Sequence, residues 1–246
     1  MDENTIYLVT GAGRGLGRGL VETLLLRPNT TVIAATRTPT PFLTSLPARP
    51  GNRLILVTID SASPTSALAA AEHIREEHGI ARLDVVIANA GVGAAAPAPV
   101  AEVPVRDVHD CVAVNAVAPL LLFQATWPLL ERAAGPPKFV VISSVAGSLG
   151  RVSGYAPLCA AYGMSKAAVN FLVRRMGREN ERLVALALHP GWVQTDMGNA
   201  AAVRLGMTEA PVEISTSARG ILQEIDSATK ESSETFYTFD HQKLPW

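Results

Sequence analysis

Short apolar runs alternate with longer stretches of helical spacing along almost the whole chain. Segments 6–10, 31–36, 54–60, 83–89, 139–143, 184–189 and 235–239 are mostly rich in β-branched residues and lack clean period-two alternation. Strands read this way when both of their faces are buried. The intervening stretches 15–26, 64–78, 105–132 and 160–181 have the length and spacing of helices. Strand and helix alternating from end to end predict a parallel sheet with helices on both faces. Right-handed crossovers make that a doubly wound α/β fold of the Rossmann type. The Pro-rich stretches 38–51 and 92–104 read as loops, and no repeat or composition break divides the chain. One domain over 1–246 is expected, with 196–211 as a candidate lid.

Composition narrows the class. Of 246 residues, 48% are hydrophobic and 17% charged, which supplies a core and excludes a disordered chain. Twenty-one basic residues against 22 acidic ones leave a net charge of −1, without the electrostatic footprint of a nucleic-acid or anionic-membrane binder. No uninterrupted apolar run reaches the roughly 18 residues of a membrane helix. The acidic start, Asp2 and Glu3, leads into a strand rather than a signal peptide. Cys111 and Cys159 cannot make a disulfide framework, so a reducing, cytoplasmic setting is expected. His73 and His78 lack metal-ligand spacing, and no metal is expected.

The first strand ends in Thr10-Gly11-Ala12-Gly13-Arg14-Gly15-Leu16-Gly17 and opens into the first helix. Glycines there let the backbone turn sharply and approach a pyrophosphate at the positive end of the helix. The second strand discriminates between dinucleotides. An NAD site usually carries an acid about 20 residues beyond the glycines, but no Asp or Glu occurs between Glu22 and Asp60. Arg37 stands at the strand end instead, with Arg14 inside the turn. Two guanidinium groups suit a 2′-phosphate, although loop arginines are often merely solvated. NADP(H) is the cofactor expected. Asp60, ending the third strand, would lie beside the adenine. Asn89-Ala90-Gly91, ending the fourth, would let the cofactor pass close to the sheet.

Tyr162 and Lys166 are four residues apart on a helix and share a face. Lowering a phenol from its usual value near 10 by about 3 units takes about 4 kcal/mol, which a close ammonium and the oxidised nicotinamide would supply. Only four of the 21 basic residues are lysines, and one follows this tyrosine. Ser144 lies past the fifth strand, where ligands of parallel sheets bind, and a hydroxyl there can hold a carbonyl oxygen or simply cap the loop. Asn115 interrupts a long helix as a mediocre helix former: a kink residue, or a tolerated polar one.

These residues, in this order, resemble the short-chain dehydrogenase/reductase superfamily over essentially the whole length. The resemblance rests on the glycine turn, Asn89-Ala90-Gly91, Asn115, Ser144, Tyr162, Lys166 and the stretch from Pro190 through Gly191, Trp192 and Val193 to Thr195. It implies that Tyr162 is the general acid/base and that Ser144 orients the carbonyl. Lys166 would bind the nicotinamide ribose and depress the tyrosine pKa, Asn115 would anchor a relay water, and Val193 and Thr195 would contact the carboxamide. Pro190, with Gly11, Arg14, Gly15, Leu16 and Gly17, completes the implied cofactor set. Three stretches resemble, more narrowly, a fungal norsolorinic acid ketoreductase-like subgroup, whose namesake reduces a side-chain ketone of an anthraquinone polyketide. They are residues 14–20, residues 189–197 and the closing Leu244-Pro245-Trp246. One departure is a longer interval between Ser144 and Tyr162, which puts the loop 148–158 in question and leaves Ser143 as the alternative to Ser144.

Substrate contacts are expected from 92–99, 148–158 and 192–207, which offer Leu149, Tyr155, Leu158, Trp192, Met197 and Met207 with few charges. Such a lining suits an apolar, aromatic ketone better than a sugar or an acid, unless these side chains only pack loops. The reading is an NADPH-dependent ketoreductase of secondary metabolism. Its rivals are a carbonyl reductase of broad range and a non-enzymatic NADP(H)-binding regulatory or scaffold protein. An enoyl reductase would space its tyrosine and lysine further apart, and an epimerase would need more C-terminal chain. The resemblance also implies a homodimer or homotetramer, with no nucleic-acid or membrane partner.

Overall fold

The computed structural model describes residues 4–38, 41–154 and 159–246. In chain order the elements are β1 (Thr5–Thr10), α1 (Gly15–Leu25), β2 (Thr30–Thr36), α2 (Pro41–Thr44), β3 (Arg53–Thr58), α3 (Ser66–His78) and β4 (Val85–Ala88). They continue as α4 (Val105–Val112), α5 (Ala118–Leu130), β5 (Lys138–Ile142), α6 (Ala160–Glu179), β6 (Val184–His189), α7 (Asp196–Arg204), α8 (Ile214–Ser227) and β7 (Thr235–Thr238). The strands form one parallel sheet in the order β3-β2-β1-β4-β5-β6-β7. All seven predicted strands are present, and none of their ends moves by more than two residues.

Every residue of β2 and β4 is buried, which explains the missing alternation in sequence. Two cores flank the sheet. On one face Leu8, Ile33, Val86 and Phe139 meet α3, α5 and α6, and on the other Val9, Val32, Ile87 and Leu186 meet α1 and α8. The chain reverses its winding direction between β1 and β4. In open α/β sheets a ligand crevice opens there, beyond the carboxyl ends of the strands.

The larger departures from expectation are α8 and the run 105–132; the short α2 also falls within the expected loop 38–51. Helix α8 was not anticipated, because its opening Ile214-Ser215-Thr216-Ser217 is a poor helix former. Its apolar period through Ala218, Ile221, Leu222 and Ile225 wins by packing on the sheet and on α1. The expected single helix 105–132 is a run interrupted by a π turn, Ala113–Val117, that carries Asn115. That run, Val105–Leu130, is long and apolar enough by composition to cross a membrane, against the expectation that no stretch is. Asn115, Gln124 and Thr126 break the apolar run but leave it apolar on average. Here its Ala116, Leu122, Ala125 and Leu129 belong to the same core as Phe139.

The C-terminal residues secure the loop after β5. The Ser148 hydroxyl donates to the Pro245 carbonyl at 2.7 Å, Gly150 N–H donates to the Trp246 carbonyl at 2.9 Å, and the Trp246 ring stacks on Phe236.

Candidate active site

The glycine turn follows from the register of β1 and β2. Gly11 and Gly15 have φ of +65° and +51°, a left-handed backbone that only glycine adopts cheaply. Gly17 is needed for a different reason: a Cβ there would stand 2.3 Å from the Gly11 carbonyl oxygen and 2.5 Å from Asn89 Nδ2. The first turn of α1 is thereby pressed against the ends of β1 and β4. No side chain caps this helix, so its opening N–H groups remain available to an anion. Leu16 turns into the core and can serve a cofactor only through its backbone.

Thr10, overlooked in the sequence, organises the β4 end: its hydroxyl oxygen accepts from Asn89 N–H at 3.0 Å and Ala90 N–H at 3.1 Å. The Asn89 amide donates to the Thr10 carbonyl at 2.9 Å. Beside this strand end lies a small recess, with room for about one water, lined by Thr10, Asp60, Ala67, Ala90, Val114 and Leu122. One Asp60 carboxylate oxygen accepts from Ala62 N–H and shapes the turn.

Several observations test whether a dinucleotide fits. Among the described residues, Thr36 Oγ1 is the buried side-chain atom without a hydrogen-bond partner, and it sits at the end of β2, with its methyl 3.5 Å from where a Gly13 Cβ would be. A ribose hydroxyl or phosphate oxygen would satisfy it. Arg37, next in sequence, is exposed. Arg14 pairs with Asp196 at 2.9 Å, both side chains well exposed, so a 2′-phosphate would compete with that carboxylate. The open helix end, the orphaned hydroxyl and the arginines all fit NADP(H).

The reacting groups converge around Gly91. A Cβ there would lie 3.1 Å from Asn115 Oδ1 and 3.8 Å from Lys166 Nζ, so glycine keeps open the space they face. Lys166 is buried and donates to the Ile142 carbonyl at 2.8 Å. Burial pushes its ammonium down to about 8. The ammonium sits 5.6 Å from the centre of the half-buried Tyr162 ring, as the four-residue spacing predicts. Asn115 accepts from Val92 N–H at 2.9 Å and donates to the Val92 carbonyl at 2.8 Å and to Ser165 Oγ at 2.9 Å. It is a bonded kink residue, not a merely tolerated one.

The two serines are separated by their partners. Ser143 bonds Asn170 at 2.5 Å inside the α6 interface, which withdraws it as the alternative. Ser144 Oγ accepts from Ala146 N–H at 3.2 Å. The accepted bond occupies a lone pair and leaves the hydroxyl proton to be donated. His189, at the end of β6, is held neutral because burial pushes its imidazole down to about 4.

The stretch after β6 is placed by α8 and a short ladder. Ser217 donates to the Pro190 carbonyl at 2.6 Å, while Gln194 N–H and Val212 N–H bond the Val212 and Trp192 carbonyls. Thr195 comes against Gly15, its methyl 3.0 Å from a Cβ there, and Val193 is buried. The Thr195 hydroxyl also accepts from Gly198 N–H and caps α7. Helix α7 lies over the loop after β4, with Met197 within 3.8 Å of where a Gly93 Cβ would be and Arg204 bonded to the Ala95 carbonyl. Trp192 donates its indole N–H to the Gly198 carbonyl. Leu149 and Met207 are exposed, and Tyr155 and Leu158 lie outside the described residues.

Known proteins carry the same frame. The profile of the short chain dehydrogenase family matches residues 5–204. A norsolorinic acid ketoreductase of Aspergillus parasiticus is 43% identical over 99% of this chain and 92% of its own. A short-chain dehydrogenase of Neurospora crassa is 40% identical over 99% and 98%. The crystal structure of NADPH-bound carbonyl reductase from chicken fatty liver superposes with a TM-score of 0.86 at 30% identity, covering 99% of this chain and 95% of that one. With sheet order, glycine turn and the Gly91 convergence all in place, the chain belongs to the short-chain dehydrogenase family.

Proposed function

We infer that this chain is an NADPH-dependent ketoreductase acting on an apolar, aromatic ketone of the kind made by polyketide assembly. The observation that carries the reading is that Lys166 Nζ and Asn115 Oδ1 both face the space over Gly91, with Lys166 one helical turn from Tyr162 and the glycine turn beside them at the end of the sheet. When bound, NADPH supplies the hydride.

The chain supplies positions and a proton. Ser144 presents its hydroxyl proton to the carbonyl oxygen and steadies the charge that develops there. Tyr162 delivers its phenolic proton to the same oxygen. An ammonium has three donors, and Lys166 spends one on the Ile142 carbonyl, leaving the others for a ribose hydroxyl. Its charge favours the phenolate once the proton has left. Thr36, Arg37 and Arg14 would receive the adenosine ribose and its 2′-phosphate. The lid 196–211, built on α7, would form the substrate wall with Met197 and Trp192. Support for an aromatic ketone comes from this few-charged wall and from the 43% identity to a norsolorinic acid ketoreductase.

The test is NADPH oxidation with a panel of aryl ketones and hydroxyanthraquinones bearing a side-chain ketone, run with the wild type and Tyr162→Phe. Turnover should fall roughly 10²–10⁴-fold in the variant while NADPH binding persists. Tight NADPH binding without reduction of any ketone would instead favour a nucleotide-binding regulatory protein.

A further inference from the structure

Ser165 is fully buried on α6 between Tyr162 and Lys166. Its hydroxyl donates to the Tyr162 carbonyl at 2.6 Å, three residues back on α6. The same oxygen accepts from Asn115 Nδ2 at 2.9 Å, across fifty residues of chain. Asn115 is then fully engaged, since its second amide hydrogen goes to the Val92 carbonyl and its oxygen takes Val92 N–H.

These bonds determine an orientation. With the Ser165 proton committed to Tyr162, only a lone pair faces Asn115, so the NH₂ end of the amide must point at Ser165. A flipped amide would set oxygen against oxygen and nitrogen against N–H. The oxygen end is thereby held toward Val92 and the space above Gly91 that Lys166 also faces. A serine that bonds only its own helix serves no second element, and an asparagine held by Val92 alone would have no side-chain bond to α6. The Ser165 bond joins the two.

The geometry points to Ser165 as a positioning residue, whose hydroxyl ties the Tyr162 turn of α6 to Asn115 and so sets the height of the proton donor against the Gly91–Val92 strand end. This rests on the reading of Tyr162, Asn115 and Lys166 given above. The π turn at Asn115 departs from the regular i→i+4 ladder, and single π turns of this kind are frequent at functional sites.

The experiment compares Ser165→Ala, Ser165→Cys and Thr126→Val in NADPH-dependent reduction of an aryl ketone that the wild type turns over. NADPH affinity is measured separately by fluorescence titration. Thr126→Val removes another fully buried hydroxyl, one that bonds only Leu122 within α5. A small misplacement of a reacting group is costly, so Ser165→Ala should lose roughly ten- to a hundredfold in kcat. Its ketone KM and NADPH Kd should stay within about twofold of the wild type, the pattern of an interaction used only in the transition state. Ser165→Cys fills the same space but bonds weakly, and should resemble Ala. The inference is overturned if Ser165→Ala matches Thr126→Val in kcat, if the loss lies in KM or Kd, or if Ser165→Cys behaves as the wild type. Should Ser165→Ala fail to fold, the cysteine variant decides by the same criteria. Tyr162→Phe run alongside separates the two readings: its retained turnover would sink the site assignment itself.

Discussion

Replacing Lys166 by methionine should abolish ketone reduction and yet stabilise the fold at neutral pH. The ammonium is buried, and burial lowers it from 10.5 to about 8. Between those two values the native state binds fewer protons than the unfolded chain, so stability rises with pH across that window. Below pH 8 the full cost of burying the charge is present. Integrated over the titration it is about 3 kcal/mol at pH 7 and about 1 kcal/mol at pH 10. Methionine fills similar volume without charge but forfeits the 2.8 Å bond to the Ile142 carbonyl, a loss of about 1.5–2 kcal/mol. The balance at pH 7 is a gain of about 1–1.5 kcal/mol, or a rise of roughly 2–6 °C in Tm for a chain of this size. At pH 10 the gain should vanish or reverse. Thermal melts of both proteins at the two pH values, with urea titrations in parallel, read this directly. A variant less stable at pH 7, or an advantage that does not change with pH, would refute the claim that burial of the charge dominates at Lys166.

Four further outcomes are expected. Gly17→Ala places a methyl 2.3 Å from the Gly11 carbonyl, so the helix must move off the sheet; stability should fall by about 1–3 kcal/mol in a urea titration and NADPH should bind less tightly. Arg37→Ala should weaken NADPH by roughly ten- to a hundredfold and leave NADH nearly unchanged, as titration of both nucleotides would show. Ser144→Ala should lower kcat by roughly 10²-fold or more. Ser143→Ala, which loses only its bond to Asn170, should lower Tm and keep its turnover.

The helix missed at 214–227 and the helix broken at Asn115 show where reading a chain one residue at a time runs out. Local propensity argues against α8, whose first turn is Ile-Ser-Thr-Ser, and only the apolar surface of the sheet and α1 rewards forming it. That helix then supplies Ser217 to the Pro190 carbonyl, so a missed element places part of an expected site. Asn115 was legible as an interruption, but its bonds to Val92 and Ser165 join segments far apart in sequence and could not be read from spacing. Thr10, Thr36 and Ser165 carried no signal at all, because a small hydroxyl residue in a strand or helix looks the same whether or not it has a partner.

By itself the sequence determined the seven strands, their parallel order of winding and the glycine turn. Those features depend on periodicity and on backbone conformations that few residues can adopt. It also placed Tyr162 and Lys166 on one face, since helix geometry fixes the relation of residues four apart. The tertiary structure alone decided that Ser144 bonds within its own loop while Ser143 bonds Asn170 of α6, that Arg14 engages Asp196, and that Lys166 and Asn115 face the space over Gly91. The physical reason is the same in each case. Those facts are contacts between elements brought together by burying two apolar faces of one sheet, and a contact has no period along the chain.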